Sequence, residues 1–178
     1  GSENLVKVLA GLNYPIKKII VASSATVYGN AGTGLVKESH PTNPVNHYGC
    51  SKLSMEYMLN FWSKKLPIII VRPFNYTGPH HSNCFVVPKI VWHFAKKIPT
   101  ISLGNMDVIR EVNSIDFVTE SYYRLLVSKE VVNGMFNICS GKGYSITDIL
   151  NLLKDMTGFK IKFIQDSTLK RSAEIHSL

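Results

Sequence analysis

Tyr48 and Lys52 stand four residues apart at the start of a stretch whose apolar residues recur at helical spacing. Upstream, Ser23 and Ser24 close a short β-branched run. An i, i+4 spacing puts a phenol and an ammonium on one face of a helix. A cation held beside a phenol favours the phenolate and draws its pKa down from about 10 toward working pH. A serine hydroxyl at the mouth of the neighbouring strand could then share the same substrate oxygen. Phenol, ammonium and hydroxyl together make a proton relay suited to interconverting an alcohol and a ketone. The competing reading is a core tyrosine beside a solvated lysine. Context decides between the two.

The elements that must position these groups can be read outward from them. Leu5, Val6, Val8, Leu9 and Leu12 give a helix closed by Asn13 and Pro15. Residues 18–22 (KIIVA) form a buried-strand pattern that ends in the serine pair. Residues 29–47, rich in Gly, Pro, Asn, Thr and Ser, are a loop. A helix follows over 48–65, with Leu53, Tyr57, Met58, Phe61 and Trp62 expected to face a core. Beyond Pro67, residues 68–71 (IIIV) are a continuous apolar run of the kind found in parallel sheets covered on both faces. Strand, loop, helix, strand is a crossover unit of a doubly wound sheet, in which ligands collect at the carboxyl ends of the strands. Ser23 and Ser24 end the first strand, and Arg72, Pro73, Phe74 and Asn75 follow the second. Both clusters therefore fall on the edge that holds Tyr48 and Lys52.

Past Gly78 the rhythm becomes mixed. A helix is expected over 85–97, with Pro88 tolerable only in its first turn. Strands are expected at 100–103 and 109–113, a helix over 116–128, and a strand at 135–139. A further helix starts at Ser145, whose hydroxyl can accept from backbone N–H groups, and ends at Gly158; a last strand spans 160–164. The fold class is α/β: a partial doubly wound, Rossmann-like parallel sheet with a smaller mixed α/β lobe over its ligand edge. Residues 1–79 are assigned to the sheet half. Residues 80–178 belong mainly to the lobe, with segments returning to the sheet.

Bulk properties exclude several classes. The 178 residues are 45% hydrophobic, enough for one domain with a real core. The apolar runs are too short to span a bilayer, and no basic-then-apolar leader opens the chain. The net charge of +8 invites a nucleic-acid reading. Its lysines, however, come as isolated pairs (Lys17 and Lys18, Lys64 and Lys65, Lys96 and Lys97) without an aromatic-interleaved stripe. Nucleic acid and membrane are therefore not expected partners. Cys50, Cys84 and Cys139 are widely spaced and odd in number, as in a reduced cytoplasmic protein. The His80 and His81 pair lacks a carboxylate at ligand spacing, so no metal is expected.

The chain resembles the extended short-chain dehydrogenase/reductases that modify nucleotide sugars. The resemblance rests on SSATVYG (residues 23–29), NHYGCSK (46–52), RPFNYTGP (72–79), GNMDVIREVNSID (104–116) and NICSGKGYSI (137–146). The last two are most similar to reductases and dehydratases of GDP-linked deoxymannose sugars. The resemblance implies a cofactor, NAD or NADP, and a nucleoside-diphosphate hexose as substrate. It implies that Ser24, Tyr48 and Lys52 are catalytic, with Tyr48 the acid/base and Lys52 on the nicotinamide ribose. Ala22, Ser23, Pro73 and Phe74 would join Tyr48 and Lys52 on the cofactor side, the last two through backbone. Ser24, Asn75, Lys89, Arg110 and Arg171 would meet the sugar nucleotide, with Arg110 suited to a diphosphate by its forked guanidinium. A homodimer through the helix that carries Tyr48 is also implied.

Two departures from the family pattern shape the expectation. Dehydratases of the family carry an Asp–Glu pair where this chain has Ala25 and Thr26, which cannot do general acid/base work. A 4-ketoreductase or 4-epimerase is therefore expected ahead of a 4,6-dehydratase. The glycine-rich turn that cradles a dinucleotide pyrophosphate is absent from these residues, so the chain reads as the second part of a longer enzyme. A non-catalytic nucleotide-sugar-binding fragment and a basic RNA-binding protein are the rival classes.

Overall fold

The computed structural model describes residues 1–32, 34–106 and 108–169. Its elements run, in order, α1 (Ser2–Gly11), β1 (Ile19–Ala22), a 3-10 turn (Ala25–Tyr28), α2 (His47–Trp62), β2 (Ile68–Pro73), β3 (Tyr76–Thr77), α3 (Val86–Ala95), β4 (Thr100–Leu103), β5 (Ile109–Glu111), β6 (Asn113–Ser114), α4 (Ile115–Val127), β7 (Gly134–Ile138), β8 (Gly143–Ser145), α5 (Ile146–Thr157) and β9 (Lys162–Gln165).

The central sheet is parallel, in the order β1-β2-β7. β2 supplies the middle strand, and all of Ile68, Ile69, Ile70 and Val71 are buried, as a strand covered on both faces requires. On one face Ile68 and Ile70 pack with Val6 of α1 and Leu59 of α2. On the other, Ile69 and Val71 pack with Val118 of α4 and Ile138. Lys18, just before β1, ties these layers together. Its Nζ donates to the carbonyls of Leu125 and Ser128 at 2.6 Å each, supplying the cation that the C-terminal end of α4 favours.

A second core gathers Ile90 and Phe94 of α3, Ile101 and Leu103 of β4, Met106, Val108 and Ile146. Around it lie the parallel pair β4-β9 and the antiparallel pair β5-β8. The short parallel pair β3-β6 links this part to the sheet, because β3 follows β2 by two residues and β6 leads directly into α4.

Several expectations are corrected here. Tyr57 and Phe61 do not face a core: Phe61 is 83% exposed, and the side chains of α2 that are buried are Glu56 and Leu59. The helix over 85–97 is shorter at both ends, with Pro88 in its first turn as its missing N–H demands. The strand over 109–113 divides into β5 and β6, which pair with different partners. The strand at 135–139 begins and ends one residue earlier, and the last strand starts at Lys162.

Candidate active site

β1 and β2 run in register from Ile19 opposite Ile68 to Ala22 opposite Val71, so their carboxyl ends open on one edge. Beyond β1, Ser24 caps the 3-10 turn. Its Oγ accepts from the Thr26 amide at 3.2 Å and from the Thr26 hydroxyl at 3.0 Å. With both bonds accepted, the Ser24 proton remains to be donated outward.

α2 arrives at the same place because Asn46 caps it, its side chain accepting from the Gly49 amide at 2.8 Å. Gly49 then lies against the 3-10 turn. A Cβ there would come 2.8 Å from the Thr26 carbonyl oxygen and 2.9 Å from Pro44. Only the missing side chain allows this approach, which sets the first turn of α2 beside Ser24. Tyr48 is not turned into the core; the residue is 53% exposed. Lys52 Nζ lies 5.7 Å from the centre of that ring and donates to the Ala22 carbonyl at 2.8 Å. The i, i+4 pair thus shares a face, as the spacing requires.

Behind this front lies a buried charge network. Glu56, one helical turn beyond Lys52, takes a bidentate bond from Arg72: Nε to Oε1 at 2.9 Å and Nη2 to Oε2 at 2.5 Å, with both side chains about 4% exposed. Glu56 Oε1 also accepts from the Ser23 hydroxyl at 2.5 Å. Arg72 Nη1 donates to the Tyr28 hydroxyl at 2.8 Å, and that hydroxyl donates to Asn137 Oδ1 at 2.8 Å. Burial works against the Arg72 charge, yet the Glu56 carboxylate and the Tyr28 hydroxyl outweigh it and hold the guanidinium above its ordinary pKa. Burial likewise raises the Tyr28 phenol.

The remaining candidates fall out as follows. Ser23 does not present its hydroxyl to the edge: the residue is 2% exposed, its side chain belongs to Glu56, and its amide donates to Val71. Phe74 is buried among Ala25, Val27 and Tyr28, and its amide donates to Ile138 at 3.1 Å, so only its carbonyl can serve a ligand. Pro73 is half-buried, and Asn75 stands exposed after β2, its carbonyl accepting from the Asn113 amide. Lys89 is engaged with the Ser102 carbonyl at 2.7 Å, at the end of β4 rather than at the sheet edge. Arg110 lies opposite Tyr144 in β5, and its Nη1 donates to the Ile109 carbonyl. Arg171 lies outside the described residues. Tyr48, Lys52 and the Ala22 carbonyl come together, and Ser24 follows two residues later in the chain; Lys89 and Arg110 belong to the second core region.

Sequence reasoning missed Glu56 and Glu111; Tyr122, expected on the apolar face of its helix, packs against the sheet. Glu111 is buried and accepts from the Ser140 amide, from Gly141 at 3.2 Å and from Asn113 Nδ2 at 3.0 Å, which pins the loop before β8. Burial pushes the Tyr122 phenol up to about 12, with smaller contributions from Tyr76 and Tyr48, so Tyr122 stays protonated near the site. Burial and then the Glu111 carboxylate push the Cys139 thiol up to about 11, which removes it as a nucleophile at neutral pH. Among the described residues there is no group of three His, Cys, Asp or Glu able to hold a metal ion, and no helix long and apolar enough to cross a membrane.

Comparison with known proteins identifies the family. The model of the family described as GDP-mannose 4,6 dehydratase matches residues 1–177. A GDP-6-deoxy-D-talose 4-dehydrogenase from Aggregatibacter actinomycetemcomitans is 38% identical over 98% of this chain and 59% of its own length. A GDP-6-deoxy-D-mannose reductase from Pseudomonas aeruginosa is 27% identical over 98% of this chain and 60% of its own length. Among solved structures, a UDP-glucuronic acid 4-epimerase from Bacillus cereus, in complex with UDP-glucuronic acid and NAD, is 25% identical. It matches with a TM-score of 0.83 over 99% of this chain and 55% of its own. The chain spans about three fifths of the length of the curated relatives it matches.

Proposed function

We propose, from the premise that this chain belongs to the GDP-mannose 4,6 dehydratase family of nucleotide-sugar-modifying enzymes, that the full-length protein carries out redox chemistry at C4 of a hexose linked to a nucleoside diphosphate. The relatives act at that position as dehydrogenase and epimerase. The single observation that carries the reading is that Lys52, beside the Tyr48 ring, is anchored to the Ala22 carbonyl at the carboxyl end of β1, two residues before Ser24.

A bound nicotinamide dinucleotide, NAD or NADP, would take up or deliver the hydride at C4. The chain's own groups fit such a molecule: Lys52 reaches the mouth of the sheet, the Tyr48 ring is open to the edge, and the carbonyl side of Pro73 and Phe74 borders it. Tyr48 moves the proton on the C4 oxygen as general acid/base. Ser24, its oxygen already accepting twice from Thr26, donates to the same oxygen. The Lys52 ammonium holds positive charge beside the phenol and stands where a ribose hydroxyl could replace the Ala22 carbonyl as acceptor. Asn75 and Arg110 meet the diphosphate, and the sheet half and the second core region divide cofactor and sugar nucleotide between them. Lys89 gives one of its three ammonium protons to the Ser102 carbonyl.

Dehydration is disfavoured despite the family's description. Ala25 is buried, and the Thr26 hydroxyl is committed to Ser24; neither side chain can take a proton from carbon. That leaves a 4-ketoreductase or a 4-epimerase. The unpaired cysteines support a reducing, cytoplasmic setting. The outward apolar face of α1 and α2, where Leu5, Val8, Tyr57 and Phe61 are exposed, supports a homodimer.

The test is turnover of GDP- and UDP-4-keto-hexoses with NADPH or NADH, and of the parent sugars, by full-length protein, with product stereochemistry read by NMR. Tyr48→Phe is expected to lower kcat by about 100-fold or more, in line with loss of a general acid. Full turnover by that variant would reject the assignment.

A further inference from the structure

Glu56 occupies the third step of a ladder that begins with Tyr48 and continues with Lys52, each a helical turn apart on α2. The upper two steps face the site and the third is buried, yet the lower two hold adjacent residues of one strand end. Lys52 Nζ donates to the Ala22 carbonyl at 2.8 Å, and the Ser23 hydroxyl donates to Glu56 Oε1 at 2.5 Å. Arg72, at the end of β2, closes the arrangement from the neighbouring strand by its bidentate bond to the same carboxylate. From the carboxylate, one side chain reaches the residue before Ser24 and another reaches the residue before Pro73.

We infer that Glu56 is a positioning residue for the proton relay: through Ser23 and Arg72 it sets the axial register of α2 against the ends of β1 and β2, and so the placement of Tyr48 relative to Ser24. The inference rests on the catalytic reading above. The physical case is that an α-helix lying on a sheet by apolar contacts can slide or rotate at small cost, since those contacts are not directional. A forked, charge-assisted pair with both partners buried cannot. Gly49 adds the complementary condition. It lets the helix approach the 3-10 turn closely but carries nothing that would fix its height, and the Glu56 clamp supplies that coordinate. Misplacement of a reacting group by about 1 Å costs on the order of 100-fold in rate.

Ser23→Ala is the variant of choice, because it severs the link to β1 and leaves Arg72 Nε and Nη2 on the carboxylate. In full-length protein it is expected to lower kcat by about 10- to 100-fold while KM for the nucleotide sugar stays within about twofold of the parent. Hydrogen exchange gives a reading that does not depend on turnover. The amides of Gly49 and Cys50, held by the side chain and the carbonyl of Asn46, should exchange faster in the variant, whereas Phe94 and Ile101 in the second core should not change. A role confined to filling the core would lower the melting temperature without splitting kcat from KM and without loosening the first turn of α2. Unchanged kcat in an active enzyme overturns the inference and leaves the catalytic reading standing. Should the parent protein turn over no nucleotide sugar, the catalytic reading fails and exchange alone decides: unchanged protection at Gly49 and Cys50 removes the clamp, and faster exchange retains it.

Discussion

Arg72 and Glu56 are each about 4% exposed, and one another, Ser23, Tyr28 and the Glu38 carbonyl offset their loss of hydration. Removing one partner leaves an uncompensated buried charge. Glu56→Leu is therefore expected to lower the unfolding free energy by about 3–5 kcal/mol, and Glu56→Leu with Arg72→Met by much less than the sum of the two single changes. Chemical denaturation of the three variants checks this, and additive losses would show that the pair is not coupled. The same residues mark where side-chain roles could be read in the sequence. Tyr48 and Lys52 were legible because i, i+4 on a helix fixes a shared face whatever surrounds it. The resemblance separated Ser24 from Ser23, but the spacing alone could not, since which hydroxyl turns inward depends on a carboxylate that lies 33 residues away in sequence. Glu56 carried no signal at all: a lone acid on an amphipathic helix reads as solvated until the strand that supplies its arginine is in place.

The two ends of α5 were readable, because capping is decided by residues three positions apart. At the start of α5 the Ser145 hydroxyl accepts from the Asp148 amide at 3.0 Å, and Asp148 Oδ2 accepts from the Ser145 hydroxyl at 2.7 Å and amide at 2.8 Å. At the other end Gly158 adopts φ 67, the left-handed conformation a terminating glycine favours. Those bonds from Ser145, the hydroxyl first and then the amide, hold the Asp148 carboxyl below its ordinary value of 3.8. A depressed folded-state pKa stabilises fully above 3.8 and is lost as the pH falls through the lower folded value. Asp148→Ala is thus expected to lower the melting temperature at pH 7, and the gap from the parent should close at pH values below that window. A gap that stays constant down to pH 2 would show that the ionised carboxylate is not what the substitution removes. The split of residues 109–114 into β5 and β6 was illegible for the opposite reason, since two partners, β8 and β3, compete for one extended run.

At the scale of the molecule, the doubly wound half followed from its apolar runs, because a strand covered on both faces leaves little freedom in composition. The outward face of α2 was misread: apolar spacing reports that a face is buried, not whether this chain or another copy buries it. Phe61, 83% exposed, lies with Met58, Trp62, Lys65 and Glu3 around a shallow groove between α1 and α2. If two copies meet there, Phe61→Asp should convert a dimer to a monomer in sedimentation equilibrium of full-length protein while leaving the melting profile of the second core intact; an unchanged mass would place the contact elsewhere. One further consequence belongs to Gly49, whose absent side chain brings helix and turn together. Anyone diversifying this scaffold should hold that position constant. Its neighbour Cys50 faces solvent and tolerates variation, while even an alanine at 49 would push the first turn of α2 off the 3-10 turn.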